Sequence, residues 1–371
     1  DDLEGGGLLK LGDIAWGDPV PDQSRLGRFY YPEPCSSATV ALAGEFAHAA
    51  VVLRALPRYH DYAEELTSRA ERAWQYYHAH PKSDACDDGT IKSGDADKPL
   101  DEQEQNAVTA AVYLFDVTGK PEYGDYVTEH YQTTEPFKSD QWSLYHQSQG
   151  DALLHYARLK QADGSTALAI TKRKVEQSEG IDIYRMRPQF DLYRAFMRPS
   201  TYHWGSNNQR AATGNTNYDL VAYNLAKKPE DRQNFIERAA GMLHSFHGVN
   251  PMQLVYLTNM YAVGGDACAD EMYHAWFRDK DPKWDNARTS ELGPAPGYVT
   301  GGPNKEYCSG PASDHACSHS PVRDQPPGKA YVDLNTGDDP KDPYDKSWEI
   351  TEPAIYYQAS YVRLISKFVN E

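Results

Sequence analysis

No run of eighteen or more apolar residues occurs in the 371-residue chain, so nothing in it is expected to span a membrane. The opening DDLEGGGLLKLGD lacks the basic-then-apolar pattern of a signal peptide. Positive charge is also scarce: 37 Lys and Arg stand against 54 Asp and Glu, a net charge of -17. Nucleic-acid binding draws on clustered cations to neutralise phosphates, so DNA and RNA are excluded as partners. The five cysteines contain no C-x-x-C pair and the histidines no H-E-x-x-H, which removes the compact zinc and thioredoxin signatures. Cys308 and Cys317, nine apart in a Gly/Pro/Ser loop, are spaced to close a small disulfide of the kind exported proteins carry. Convincing strand alternation is almost absent, and no fixed-period repeat is found, which argues against TPR-like or ankyrin-like arrays.

What is present is helix and aromatic surface. Residues 36–56 carry small and apolar residues at three- and four-residue spacings behind a Ser cap, with a proline just beyond. Further helical patterns cover 58–80, 102–118, 121–132, 146–161, 206–227, 231–246, 252–264, 267–278 and 353–369. Short connections between successive helices imply antiparallel neighbours, and without a repeat the expected fold is all-α, a closed ring of helical hairpins. Long Gly/Pro/Asp-rich loops at 81–101, 281–311 and 318–346 would build one rim. Aromatic residues make up 12% of the chain, with 27 Tyr and 7 Trp. Their flat apolar faces and polar tips suit sugars, although most tyrosines in such a chain simply pack helices together.

Three stretches hold candidate chemistry. TYHWGSNNQR sets Tyr202, His203 and Trp204 before an amide- and Arg-bearing helix start, the mixture a saccharide groove requires. The plainer alternative there is Ser206 as N-cap and Trp204 as a core anchor. EMYHAWF repeats the mixture with Tyr273, His274 and Trp276. The loop CDDGTIKSGDADKPLDEQ gathers acids densely enough to suit Ca²⁺, which takes six to eight oxygens, though it does not follow EF-hand spacing and a solvated acidic loop explains it as simply. A second acidic loop, 333–346, has the same ambiguity.

GPAPGYVTGGPN (293–304) and WEITEPAIYYQASYVRLIS (348–366) together resemble the carboxy-terminal signatures of glycoside hydrolase family nine, the inverting cellulases, and HGVNPMQLVYLTNMY (247–261) is similar to the helix before that family's substrate loop. The resemblance implies an (α/α)6 barrel over most of 30–370 and a secreted enzyme acting on β-1,4-glucans, polysaccharide or oligosaccharide. It implies that Glu352, in ITEPAI, is the general acid. A carboxyl beside Trp348 and Tyr356 at the mouth of an apolar helix would have its pKa raised by desolvation, opposed by the helix N-terminus, which favours the anion. It places His319 and Arg323, in CSHSPVRD, near the family's Pro-His-x-Arg element, with altered spacing. It also suggests a structural Ca²⁺ site from Ser93, Asp97, Asp101, Glu102 and Asp140.

Inversion needs a second carboxylate as base, and the family's D-A-G-D motif is not found; SGDAD (93–97) has the wrong order. The expectation is therefore one catalytic domain over 1–371 that lacks its first hairpin, with a separate amino-terminal segment completing the barrel. Two other classes stay open: a saccharide-binding protein without catalysis, and an unrelated (α/α)6 lyase or epimerase using a His or Tyr base.

Overall fold

The computed structural model describes residues 4–12, 29–91, 97–139, 142, 144–180, 184, 191–274, 277, 281–307, 322, 324–335 and 348–369. The chain divides into two compact units, Asp1–Gln177 and Ser178–Glu371.

In the first unit a two-residue antiparallel pair, β1 (Leu11–Gly12) with β2 (Phe29–Tyr30), precedes seven helices among the described residues. These are α1 (Ser36–Leu53), α2 (His60–Ala79), α3 (Leu100–Thr118), α4 (Pro121–His130), α5 (Glu135–Lys138), α6 (Gln147–Tyr156) and α7 (Gly164–Gly180). Helix α1 packs on α2 and α3 through small residues. Ala43, Ala73 and Ala110 form one buried cluster, and Gly44 lies against Ala110, so the backbones approach closely. By length and composition α1 is apolar enough to cross a membrane, which corrects the reading that no segment qualifies. Its Val40, Ala43, Ala47 and Ala50 are instead buried against protein. The boundaries follow local chemistry: α4 opens on Pro121, where a missing N–H costs nothing, and α3 stops at Gly119, whose left-handed φ of 70° lets its N–H cap the Phe115 carbonyl at 2.9 Å. The sequence pattern missed α7.

The second unit holds α8 (Ser206–Ala222), α9 (Pro229–Phe246), the parallel pair β3 (Val255–Thr258) and β4 (Cys268–Ala269), and then α10 (Trp348–Thr351) and α11 (Ile355–Ile365). Helices expected over 252–264 and 267–278 are not formed by the residues described there. The run VYLT is β-branched and aromatic, and the Asn250 side chain closes a turn ahead of it by accepting the Met252 N–H at 2.9 Å. Asn259, at a left-handed φ of 49°, ends the strand.

Helix α8 is buried almost all round yet polar, and burying polar groups costs free energy unless they are hydrogen-bonded. Helix α11 supplies several partners. Asn215 donates to the Ser360 carbonyl at 2.9 Å, the Ser360 hydroxyl donates to Asn208 at 2.8 Å, and Arg363 pairs with Asp219 at 2.9 Å. Apolar packing completes the contact, with Ala211, Met242, Phe246, Tyr256, Val299, Ile350, Tyr357 and Leu364 in one core.

Candidate active site

The segment 299–304 sets the position of Glu352. Its backbone runs between β3 and the α8 and α10 helices: the Thr300 N–H donates to the Tyr256 carbonyl (3.1 Å), the Asn207 N–H to the Gly301 carbonyl (2.9 Å), and the Gly302 N–H to the Ile350 carbonyl (2.8 Å). Asn207 adds a side-chain bond to the Thr300 carbonyl at 3.0 Å, and Asn304 one to the Glu349 carbonyl at 3.0 Å. Gln358 of α11 pairs with both the N–H and the carbonyl of Val299, at 2.8 and 3.0 Å. Gly302 has no substitute here: its φ is 103°, and a Cβ would stand 2.6 Å from the Asn207 side-chain carbon.

Glu352 lies in the three-residue link between α10 and α11. It is not on the first turn of a helix as the sequence suggested but two residues ahead of the N-cap, Ala354. Its Oε2 accepts the Trp204 indole N–H at 3.2 Å. Burial pushes the carboxyl pKa upward, and the Trp204 bond opposes this without reversing it. Trp204 is held edge-on by Trp348 and Tyr357, at ring-centroid distances of 6.2 and 6.5 Å. Gly205, at φ 77°, caps α8 beneath it, and a Cβ there would stand 2.6 Å from the Tyr357 hydroxyl. The capping residue is thus Gly205 rather than Ser206, and Trp204, 42% exposed, is no core anchor.

Beside the carboxyl, Trp204 and Tyr356 (49% exposed) present aromatic surface to solvent. A carboxyl whose pKa is raised beside such a surface is suited to give a proton to an oxygen of a ring-shaped substrate that stacks there.

The other expected residues divide clearly. Tyr202 is half-buried and lines a cavity described below. His203 has its Nδ1 2.8 Å from the Trp204 carbonyl. Tyr273 is half-buried, and His274 sets its ring 6.3 Å from Phe277, where burial pushes its pKa down. Trp276, His319, Arg323, Ser93, Asp140 and the Cys308–Cys317 pair lie outside the described residues, as does most of the acidic loop 333–346.

For the expected Ca²⁺ site the described donors do not fit. Asp97 accepts the Ser37 hydroxyl (2.9 Å) and the backbone N–H groups of Cys86 (2.6 Å) and Lys98 (2.9 Å). Asp101 faces Lys138 at 3.9 Å, and Glu102 faces Lys98 at 3.6 Å. Among the described residues the one group of three ligand-type atoms within 4.8 Å is Cys35, Cys86 and Asp97. Its two sulfurs are joined to each other as a disulfide, which leaves a single carboxylate, far short of the six to eight oxygens Ca²⁺ takes.

Sequence reasoning missed Asn304, Gln358 and Gly302, and took Asn207 only as one of the amides of a helix start; all four hold the backbone that positions Glu352. The glycine pair in VTGGPN is the one signal that could have pointed to them.

Comparison with known proteins gives the family and the fold. The family described as glycosyl hydrolase family 9 matches residues 10–365. Among solved structures, family 9 endoglucanase J30 is 23% identical with a TM-score of 0.75, covering 100% of this chain and 61% of its own. A thermostable endoglucanase from Alicyclobacillus acidocaldarius is 19% identical, TM-score 0.71, covering 100% and 62%. An endoglucanase from the termite Nasutitermes takasagoensis is 14% identical, TM-score 0.65, covering 98% and 74%. The chain thus spans about three fifths of the length of the first two. No curated protein matches it. The likeness gives the fold class expected from the sequence, all-α of the (α/α)6 type.

Proposed function

The chain belongs to glycosyl hydrolase family 9, and from that premise we propose that it hydrolyses β-1,4-glucosidic bonds of cellulose or a related β-glucan, with inversion and with Glu352 as general acid. The observation that carries the proposal is the Glu352–Trp204 pair: a carboxyl whose pKa burial pushes upward, bonded to the indole of a half-exposed tryptophan. Chemically, Glu352 gives its proton to the leaving glycosidic oxygen while a water attacks from the opposite face of the sugar. The carboxylate that activates that water is not assigned to a described residue.

Export of the protein is part of the proposal. It is supported by the Cys35–Cys86 disulfide, which persists in oxidising compartments. The structural Ca²⁺ is left out, because the loop that would hold it is tied by that disulfide and by Asp97.

The test is reducing-end release from cello-oligosaccharides by the protein and by its Glu352→Gln variant. The proposal expects turnover in the first and a loss of about 10²–10⁴-fold in the second. Binding of the oligosaccharide without turnover in either would hand the case to a saccharide-binding protein, and turnover unchanged by the substitution would remove Glu352 from the mechanism. An unsaturated product absorbing in the ultraviolet would identify a lyase instead.

A further inference from the structure

A second site is built into the face of α8 that carries Arg210. A cavity of about 310 Å³ opens there, lined by Tyr202, Arg210 and Ser245 and walled by Tyr193, Phe196 and Pro251. That volume sits at the small end of ligand pockets, about 300–1,000 Å³.

Arg210 is 2% exposed, and its polar contacts are few. Its Nε donates to Asn207 at 3.3 Å, one terminal nitrogen donates to the Ser245 hydroxyl at 2.7 Å, and the guanidinium lies 5.9 Å from the Tyr256 ring centroid. The other terminal nitrogen has no hydrogen bond, and no carboxylate pairs with the guanidinium among the described residues. A buried charge without a counter-ion is costly, so its retention calls for an anion from outside. The Tyr202 hydroxyl likewise has no hydrogen-bond partner among the described residues and borders the same space.

The cavity wall is fixed in advance. Arg238, fully buried, donates to the carbonyls of Arg194 and Phe196 on the lining segment. Gly241 admits that segment, since a Cβ there would stand 2.2 Å from the Arg194 carbonyl oxygen. Arg194 itself is held at a φ of 55°, a conformation a non-glycine residue keeps only when its surroundings impose it. Asp191, the one carboxylate on the lining, accepts the Tyr193 N–H at 3.1 Å.

We propose that this cavity binds a sugar carboxylate, a hexuronate, with Arg210 and the Tyr202 hydroxyl on the carboxylate and the Tyr193 and Phe196 rings against the pyranose. The inference does not depend on hydrolysis at Glu352. Calorimetric titration of the protein with D-glucuronate and with D-glucose, which carries CH2OH where the uronate has its carboxylate, decides it. Glucuronate is expected to bind at least tenfold more tightly than glucose, and Arg210→Gln to erase the difference. Equal affinities, or a preference that survives Arg210→Gln, overturn the proposal. Should that variant fail to fold, Tyr202→Phe and Ser245→Ala decide: each is expected to weaken glucuronate binding about three- to tenfold, and an unchanged Kd in both overturns it.

Discussion

Glu352 and Trp204 are 148 residues apart in sequence and meet at a single hydrogen bond. An indole N–H stabilises the carboxylate, so removing it lets the acid keep its proton to higher pH. Trp204→Phe is therefore expected to move the alkaline limb of the kcat/KM profile upward while lowering the maximum rate through the lost stacking surface. An alkaline limb that stays in place would mean Glu352 is not the group titrating there. Asp333 makes a second residue-scale case. Burial, with Asp270 and Glu271 nearby, raises its pKa to about 7, although its bond from the Asp270 N–H at 2.5 Å pulls the other way. The folded protein thus holds a proton there that the unfolded chain releases near pH 4. Stability from this group is present below that value and is lost as pH rises towards 7. Asp333→Asn is expected to raise the melting temperature at pH 8 and to change it little at pH 4.5; equal effects at both would place the cause elsewhere.

Elements carry these residues, and two of them lend themselves to direct test. The strand-like segment at Gly302 needs a left-handed backbone and an absent Cβ, so Gly302→Ala is expected to cost about 2 kcal/mol or more and to displace Asn207 from the Thr300 carbonyl. An Ala variant as stable as the parent would contradict the tight approach. The disulfide Cys35–Cys86 closes a separation of 51 residues between the start of α1 and the acidic loop, worth about 4 kcal/mol in the chain-entropy account. Reduction, or paired Cys35→Ser and Cys86→Ser, should lower the melting temperature of the first unit by about 10 °C. A chelator should leave it where it was, whereas a drop with EDTA that Ca²⁺ restores would reinstate the metal site.

How far these elements were legible in the sequence depends on where their reasons lie. Helices α1 to α4 announce themselves through spacing, prolines and Gly119, because their reasons are local. Strands β3 and β4 read as helix since four- and two-residue strands offer too short a pattern, and what makes them extended is their pairing with each other and with Val299. The Ser206 cap failed for a related reason. Gly205 takes the left-handed turn that aims Trp204 at Glu352, a need imposed by Tyr357 from far along the chain.

At the scale of the whole molecule, family membership was readable from two short signatures, GPAPGYVTGGPN and WEITEPAIYYQASYVRLIS, and the structure brings both together in the second unit, the 299–304 segment bonded to the helix that precedes Glu352. That scaffold was not readable as such: Asn207 and Gln358 look like ordinary helix polar residues until the 299–304 segment is laid against them. Arg210 was read only as part of the amide- and Arg-bearing helix start, since its missing counter-ion is a property of the fold and not of the string. In the acidic loop the described carboxylates separate in space, Asp97 as a hydrogen-bonded hub and Asp101 and Glu102 as groups facing lysines, which a dense run of acids in sequence does not reveal.

The central claim is that Glu352 protonates the leaving group, and the nature of the leaving group tests it most directly. Glu352→Gln should be assayed on cellotetraose and on 2,4-dinitrophenyl cellobioside, whose phenolate departs without a proton. The account predicts that the variant loses cellotetraose hydrolysis by about 10²–10⁴-fold and keeps most of its rate on the activated glycoside. Equal loss on both substrates would contradict it, because a residue needed regardless of leaving group is not acting as the acid.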